Sequence, residues 1–248
     1  DPQAVALNPH VEEAEQHTIE WAYRFMLIVD EETSQLLRRV KFTYLAAGGY
    51  PTADVEELKL ACDWCTWLFF YDDWYCDDAD SEVARDPIKL AAVHRRLLEI
   101  LGGRVRPQSD DSPLAHTLSD LRRRLLQRAG NTWMGYFHRA VRSYFQANLW
   151  EVETRASGRI PPMGVYTKMR PYAGAVHTVF DLLDIAGRER LPINLREHVM
   201  LQQVTLMANN CICWVNDIFS VAKEIQEGNR NNLVLLLCHE QGLSLADA

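Results

Sequence analysis

The sequence lacks the features of a membrane or exported protein. No apolar run reaches the about 20 residues that a transmembrane helix needs. Its start, Asp1-Pro2-Gln3, has no basic segment followed by an apolar one, so we expect no signal peptide. Cys62 and Cys65 have no second pair at zinc spacing and no βαβ pattern around them. These absences predict a cytoplasmic protein whose cysteines are buried free thiols rather than a redox or zinc pair.

Basic residues are few relative to acidic ones. The chain has 26 Lys and Arg against 34 Asp and Glu, a net charge of −8. This balance argues against general affinity for nucleic acid or anionic lipid. An anionic ligand would need metal ions or a local basic cluster to bridge the repulsion.

Strand-like alternation, internal repeats and low-complexity stretches are also missing, whereas helical spacing of apolar residues runs through almost the whole chain. Asn8 before Pro9 is predicted to open the first helix. Asp54 followed by Glu57 has capping-box spacing. We expect an all-α, single-domain helical bundle with helices over residues 8–27, 31–47, 54–78, 86–101, 112–130, 131 to beyond 150, 165–185, 194–226 and 232–240.

Two further expectations concern helix ends. Pro171 and Gly174 predict a kink or break inside the helix over 165–185. Because another helical pattern begins after Gly242, we expect the last helix of the bundle to be missing from this sequence.

The sharpest polar feature is the segment DDWYCDD, which starts at Asp72 at the end of an apolar, aromatic helix. The helix dipole disfavours anions at that end by about 0.3–1 kcal/mol each. Asp73 and Asp77, one turn apart, also repel each other. A cation would stabilise such a cluster, and oxygen-only ligands select hard ions such as Mg²⁺ or Mn²⁺. Taken alone, the segment is equally typical of a solvated acidic helix end.

A second polar set follows in NDIFSVAKE. Asn216, Ser220 and Glu224 lie at i, i+4 and i+8, and successive members rotate by only about 40° around a helix. Their amide, hydroxyl and carboxylate oxygens would form a hard three-oxygen site with positions left for water or phosphate. The preceding turns carry Met207 and Trp214, which favours a buried stripe over polar residues on a mixed face.

Together, DDWYCDD and NDIFSVAKE resemble the aspartate-rich motif and the Asn-Ser-Glu triad of bacterial class I terpene synthases. Asn8-Pro9-His10 with Trp21 resembles the N-terminal segment of that family. The similarity covers essentially the whole chain in the family's order. The triad with its spacing is specific, whereas several prenyl-handling families share the aspartate motif.

The resemblance implies one catalytic domain over residues 1–248, incomplete at its C-terminus, that cyclises a linear prenyl diphosphate and releases diphosphate. It implies that Arg170 senses the diphosphate and that Gly174 breaks the helix and turns its carbonyl to the substrate, with Ala173 as linker. Lys223 and Arg230 are further candidate diphosphate contacts. Three Mg²⁺ ions, or Mn²⁺ instead, would be held by Asp72, Asp73, Asp77, Asn216, Ser220 and Glu224.

Two departures from the family pattern affect these assignments. The aspartate motif has one residue more than the common DDxxD form, which leaves the role of Asp77 less secure than that of Asp72. The Arg-Tyr pair of the family's last helix is absent, in line with an incomplete C-terminus.

Ionisation of an allylic diphosphate creates a carbocation, which needs a dry pocket. Aromatic faces can stabilise it by about 0.5–2 kcal/mol each. Taken singly, each aromatic residue is more typical of core packing. The candidates are Trp67, Phe69, Phe145, Trp150, Phe180 and Trp214.

Three other functions are weighed against cyclisation. A head-to-tail prenyl diphosphate synthase normally has a second aspartate-rich motif where this chain has Asn216 and Ser220. A di-iron bundle needs Glu-x-x-His pairs, which the sequence lacks. A non-catalytic helical interaction protein would carry its acidic patches incidentally.

The motifs are compatible with C15 farnesyl or C20 geranylgeranyl diphosphate, and the chain also resembles actinobacterial diterpene cyclases of the spiroviolene type. We expect no nucleic acid and no membrane among the partners, and a homodimer is compatible with the sequence.

Overall fold

The computed structural model of the protein describes residues 6–77, 81–187, 191–226 and 228–248. Within these ranges the regular structure is helical and includes no strand, which confirms the all-α prediction. A π-helical turn, Asp73–Asp77, directly follows the fourth helix. The α-helices are α1 Val11–Arg24, α2 Glu31–Val40, α3 Phe42–Gly49, α4 Val55–Asp72, α5 Glu82–Arg85, α6 Pro87–Leu101, α7 Pro113–Ala156, α8 Met163–Ala173, α9 Val176–Ala186, α10 Ile193–Arg196, α11 Val199–Gln226 and α12 Leu233–Gln241.

The chain divides into two compact units, each built from three stretches of sequence. The first comprises Asp1–Asp73, Arg95–His138 and Val179–Arg190, and the second Trp74–His94, Arg139–Thr178 and Leu191–Ala248. Helices α6, α7 and α9 each contribute to both units, so neither unit is a separate segment of sequence. Among the described residues, no helix has both the length and the apolar character needed to cross a membrane.

The first unit is built on a stack of aromatic rings. Trp67 stacks between Trp64 and Tyr71, with ring centroids 5.2 and 5.4 Å apart. Its indole nitrogen donates to the carbonyl of Leu114, 2.9 Å away, so the polar edge of the buried ring is satisfied. Phe137 meets the edge of Trp64 at 4.8 Å. These contacts fasten α4 to α7.

A buried carboxylate adds a polar contact to this unit. Asp63 is fully buried, and Arg124 donates to it at 2.6 Å. Thr18 donates at 2.7 Å and His17 lies 3.1 Å away. The charge is therefore paired, as a buried carboxylate requires.

In the second unit, α8, α11 and α12 pack against one another. The same unit also contains a contact between α6 and α7, where His94 stacks on Phe145 with ring centroids 4.4 Å apart. Both residues are buried. Burial lowers the pKa of His94 to about 4.

Several predicted helix ends are confirmed. Asp54 and Glu57 form the predicted capping box at the start of α4. The helix over 165–185 breaks as predicted, since α8 ends before Gly174 and α9 begins at Val176. Asn232 caps α12 by accepting from the backbone N–H groups of Val234 and Leu235.

The first predicted helix start is wrong by about one turn. Asn8 lies three residues before the first residue of α1: its Oδ1 accepts from the N–H of His10 at 3.0 Å, and its buried Nδ2 donates to the carbonyls of Tyr50 and Ala53, both at 2.9 Å. Helix α1 starts instead at Val11. Asn8 therefore ties the N-terminal segment to the connection between α3 and α4.

The predicted helix over 31–47 is in fact two helices. Lys41 separates α2 from α3 in a left-handed conformation with φ 54°. No glycine or proline marks the break. Its ammonium group lies 4.2 Å from the centroid of the Tyr44 ring, a cation–π contact that favours this turn.

One further predicted helix is divided, and one further boundary is confirmed. The helix predicted from Asn194 is divided into α10 and α11, and the ring of His198 accepts from the N–H of Met200 at the junction. The boundary predicted at Gly130 is confirmed by a kink in α7, where Gly130 has φ 79°. Glycine adopts this conformation without the steric cost that other residues incur.

Candidate active site

The predicted oxygen stripe lies on α11, in the second unit. Asn216 is exposed, whereas Ser220 and Glu224 are half-buried. The Ser220 hydroxyl donates to Glu224 Oε1 at 2.6 Å. Glu224 Oε2 is buried without a hydrogen-bond partner. Burial raises the pKa of Glu224, and the Ser220 hydroxyl and the side chain of Asn232 oppose that rise.

This geometry fits a hard cation. A buried carboxylate oxygen without a donor is costly, and a metal ion is one of the few groups that removes the cost. Carboxylate, hydroxyl and amide oxygens are the ligands that Mg²⁺ accepts. Among the described residues, no three His, Cys, Asp or Glu side chains converge at metal-binding distance. Asn216 and Ser220 are the oxygen-bearing side chains that would complete a metal site with Glu224 on α11.

Arg170, near the end of α8, lies against the same stripe. Its Nη2 donates to Asn216 Oδ1 at 2.8 Å, and its Nε donates to Asp217 Oδ1 at 2.7 Å. Burial opposes the charge on Arg170, but the nearby Asp217 carboxylate helps to hold its pKa above the ordinary value. The predicted diphosphate sensor and one predicted metal ligand are thus in direct contact.

Asp217 is a site residue that the sequence reasoning missed. It is fully buried, and its Oδ2 accepts from the Tyr166 hydroxyl at 2.6 Å and from the N–H of Leu233 at 3.0 Å. Its own carbonyl accepts from the side chain of Asn232 at 2.7 Å. The available signal was a charged residue that directly follows Asn216, after an apolar run from Cys211 to Val215.

The break after α8 places Gly174 against α11. A Cβ on Gly174 would lie 2.9 Å from Cys213 Sγ, closer than real contacts allow. Ala175, rather than Gly174, has the left-handed conformation, with φ 56°. The glycine is therefore required for close approach of the two helices and not for its own backbone angle. Ala173, the predicted linker, is the last residue of α8.

The aspartate-rich segment begins at the end of α4. Asp72 is half-buried and Asp73 is exposed. The extra residue of the segment falls within the π turn, Asp73–Asp77. Arg155 donates to the carbonyl of Cys76 at 2.9 Å. The side chain of Asp77 lies outside the described residues.

The other predicted contacts differ in burial. Lys223 and Arg230 are exposed. Trp67 and Phe145 are packed inside the protein, at 0 and 1 % exposure. Those with partial exposure are Phe69, Trp150, Phe180 and Trp214.

Comparisons with known proteins identify the family. Residues 63–248 match the family described as terpene synthase family 2, C-terminal metal binding. The whole chain is 42 % identical to (+)-T-muurolol synthase of Roseiflexus castenholzii and covers 74 % of it. The chain belongs to the class I terpene synthases. This confirms the family predicted from the two motifs.

Another relative and two solved structures agree. Germacrene A synthase of Nostoc punctiforme is 36 % identical over 97 % of this terpene synthase and 73 % of its own length. An SVS_A2 protein from ancestral sequence reconstruction superposes with a TM-score of 0.89 at 25 % identity, covering 99 % of this chain and 71 % of that one. Linalool/nerolidol synthase from Streptomyces clavuligerus has a TM-score of 0.88 at 20 % identity, with 99 and 80 % covered, and shows the fold.

Membership of this family gives the general activity. The terpene synthase is an enzyme, a carbon–oxygen lyase that acts on a prenyl diphosphate. Its matching region is described as metal-binding.

Proposed function

We propose that this terpene synthase cyclises farnesyl diphosphate, a C15 substrate, with Mg²⁺ as cofactor. The buried, unpartnered Oε2 of Glu224, in one stripe with Asn216 and Ser220, carries the proposal of a metal-dependent reaction. Two relatives support the chain length by name. Both (+)-T-muurolol synthase and 4-epi-cubebol synthase of Streptosporangium roseum, 33 % identical, are named as (2E,6E)-farnesyl diphosphate cyclising.

Bound Mg²⁺ would act as a Lewis acid toward the departing diphosphate. Arg170 supplies guanidinium donors suited to two phosphate oxygens. Lys223 and Arg230, both exposed, add positive charge. Three ions, for which Mn²⁺ is an alternative, would be held by Asn216, Ser220, Glu224, Asp72, Asp73 and Asp77.

In the reaction the allylic C–O bond breaks and its electron pair leaves with the diphosphate. The resulting carbocation closes a ring on a double bond of the same chain. It then either loses a proton to give a hydrocarbon, or is captured by one water molecule that loses a proton to give an alcohol. The protein must exclude water until that last step, because earlier capture would quench the cation before the ring closes. Partly exposed aromatic faces suit this role better than Trp67 and Phe145, which are enclosed by protein. They are Phe69, Trp150, Phe180 and Trp214.

Product analysis tests the proposal. The protein is incubated with MgCl₂ and, in separate reactions, geranyl, farnesyl or geranylgeranyl diphosphate, and the extracts are separated by gas chromatography. We expect a cyclic C15 hydrocarbon or alcohol from farnesyl diphosphate and none when EDTA is present. A cyclic C20 product alone would contradict the chain length and favour the spiroviolene-type alternative.

Addition of isopentenyl diphosphate separates cyclisation from chain elongation. We expect no longer prenyl diphosphate from this reaction. Elongated products would favour a head-to-tail synthase instead. Absence of both turnover and binding of Mg²⁺ with pyrophosphate would favour a non-catalytic protein.

A further inference from the structure

Helix α11 carries a second stripe beside the predicted one. Of its residues, all of which the structure describes, Asn209, Cys213 and Asp217 are the buried ones. They are spaced four apart, so they share one face of the helix. This face lies beside the one that carries Asn216 and Ser220. Each of the three side chains has a polar atom within hydrogen-bond distance of α8.

These contacts lie at the last turn of α8. The backbone carbonyls there have no partner within the helix, because α8 ends at Ala173. Asn209 Nδ2 donates to the carbonyl of Pro171 at 2.7 Å. Cys213 Sγ lies 3.6 Å from the carbonyl of Arg170 and 3.2 Å from Asn209 Oδ1, so its single S–H donates to one of the two at a time. Asp217 accepts from the Arg170 side chain. The stripe therefore holds both the backbone and the guanidinium group of Arg170.

The two edges of the Arg170 guanidinium are held differently. The Nε edge is bound to Asp217, whose other oxygen is fixed by Tyr166 and the backbone of Leu233. The Nη2 edge is bound to the exposed Asn216. Release of Asn216 leaves the buried contact intact, so the Nη2 edge can move while the Nε edge stays.

We propose that Asp217 is a positioning residue, which anchors Arg170 by Nε while Nη2 transfers from Asn216 to the diphosphate. The proposal rests on the proposed function. Asn216 Oδ1 cannot serve a divalent cation and a guanidinium equally well, because the two cations repel each other. Metal ligation by Asn216 therefore releases Nη2. The anchor at Asp217 keeps the released donors close to Asn216, where an anion bound to the metal would lie.

Substitution of Asp217 tests the anchor. Asp217→Asn keeps the shape of the side chain and removes the charge that holds Nε. The matched control is Asp63→Asn, which makes the same change at another fully buried carboxylate bound to an arginine, Arg124. Binding of inorganic pyrophosphate in MgCl₂ is measured by titration calorimetry, and thermal unfolding reports the stability of each protein.

We expect Asp217→Asn to weaken pyrophosphate binding by about tenfold or more, the effect of losing a hydrogen bond to a charged group. Asp63→Asn should lower the unfolding temperature but leave this affinity within about twofold. Wild-type affinity in Asp217→Asn, or equal weakening in both variants, would overturn the proposal. If the wild-type protein itself binds no pyrophosphate with Mg²⁺, the proposed function fails as well.

A second variant tests the transfer from Asn216. Arg170→Lys retains a positive charge for Asp217, but lysine cannot reach Asp217 and Asn216 with one planar group. Without pyrophosphate, we expect Mn²⁺ affinity, read by electron paramagnetic resonance, to rise by about fivefold as one competing hydrogen bond is lost. Pyrophosphate affinity should fall. Unchanged Mn²⁺ affinity would show that Arg170 and the metal do not compete for Asn216.

Discussion

The two carboxylate oxygens of Glu224 have different surroundings. Oε1 accepts the Ser220 hydroxyl, while Oε2 is buried without a donor. A buried polar atom left unsatisfied costs about 1–3 kcal/mol. A cation bound at Oε2 would remove that cost.

Replacement of Glu224 by Gln should separate function from stability. We expect kcat/KM with farnesyl diphosphate to fall by about 100-fold or more, since metal sites depend strongly on their ligands. In EDTA, the unfolding temperature should stay the same or rise, because a buried carboxylate becomes neutral. Steady-state kinetics and thermal unfolding provide the two readings.

The matched control is Glu240→Gln on α12. The Glu240 side chain accepts from the N–H of Met163 at 2.7 Å, and its amide replacement retains an acceptor oxygen. Turnover of this variant should be near normal. A Glu224→Gln enzyme with near-normal kcat/KM would contradict the metal assignment.

Gly174 and Cys213 should show coupled effects on stability. Gly174→Ala introduces a methyl group 2.9 Å from Cys213 Sγ, and we expect the free energy of unfolding to fall by about 1–3 kcal/mol. In a Cys213→Ala background the same substitution should cost less than about 1 kcal/mol, because the sulfur is gone. Urea unfolding of the four proteins measures the coupling. Equal penalties in both backgrounds would place the strain elsewhere.

Placement of residues was predictable from sequence where it depends on neighbours along one helix. Asn216, Ser220 and Glu224 lie on α11 as predicted, and i, i+4 and i+8 share a helix face. Asp217 could not, because its partners Tyr166 and Leu233 come from other helices. Such contacts depend on packing and not on periodicity.

At the scale of helices, ends that rely on local chemistry were predictable and ends that rely on distant contacts were not. The capping box of Asp54 and Glu57 is a local signal and sits where predicted. Asn8 is a good cap residue by type, but α1 starts three residues later, and the Asn8 amide also donates to the distant carbonyls of Tyr50 and Ala53. The break at Lys41 has no breaker residue at all.

The side chain of Asn232 should contribute strongly to the stability of α12. Its side chain caps the helix and also donates to the carbonyl of Asp217. Asn232→Ala should destabilise α12 by about 1–2 kcal/mol for the cap alone. Hydrogen exchange of the α12 amides measures this loss. Asn232→Ser, which keeps a capping oxygen, should recover part of the protection, and equal exchange in both variants would contradict a capping role.

For the molecule as a whole, the fold class followed from helical spacing throughout the chain, and the relatives confirm the family. The division into two units could not be predicted from the sequence. Boundaries between the units fall inside α6, α7 and α9, where no helix-breaking residue marks them. Which aromatic residues are fully enclosed also depends on packing. Trp67 and Phe145 have the same spacing pattern as their partly exposed neighbours.

Acid should destabilise the folded protein in part through His94. Burial lowers its pKa to about 4 from the model-peptide value of 6.5, so the unfolded chain takes up a proton first. The stability that neutral His94 allows is complete above pH 6.5 and is lost as pH falls toward 4. The loss approaches about 1.4 kcal/mol per pH unit within this window.

His94→Phe removes the titrating group and keeps an aromatic ring against Phe145. Relative to wild type, this variant should gain stability progressively as pH falls below 6.5. Urea unfolding at several pH values measures the difference. Parallel pH profiles for the two proteins would contradict a buried neutral His94.

The π turn Asp73–Asp77 accommodates the one residue by which this aspartate motif is longer than DDxxD. Backbone hydrogen bonds in an α-helix join residues four apart, and in a π turn they join residues five apart. Asp72 and Asp77 are five apart, yet one turn separates them, as one turn separates the first and last acidic positions of DDxxD. An inserted residue has thus been absorbed as a local bulge, without shifting the register of the helix before it. The number of backbone turns, and not the number of residues, therefore sets how far along the helix Asp77 follows Asp72.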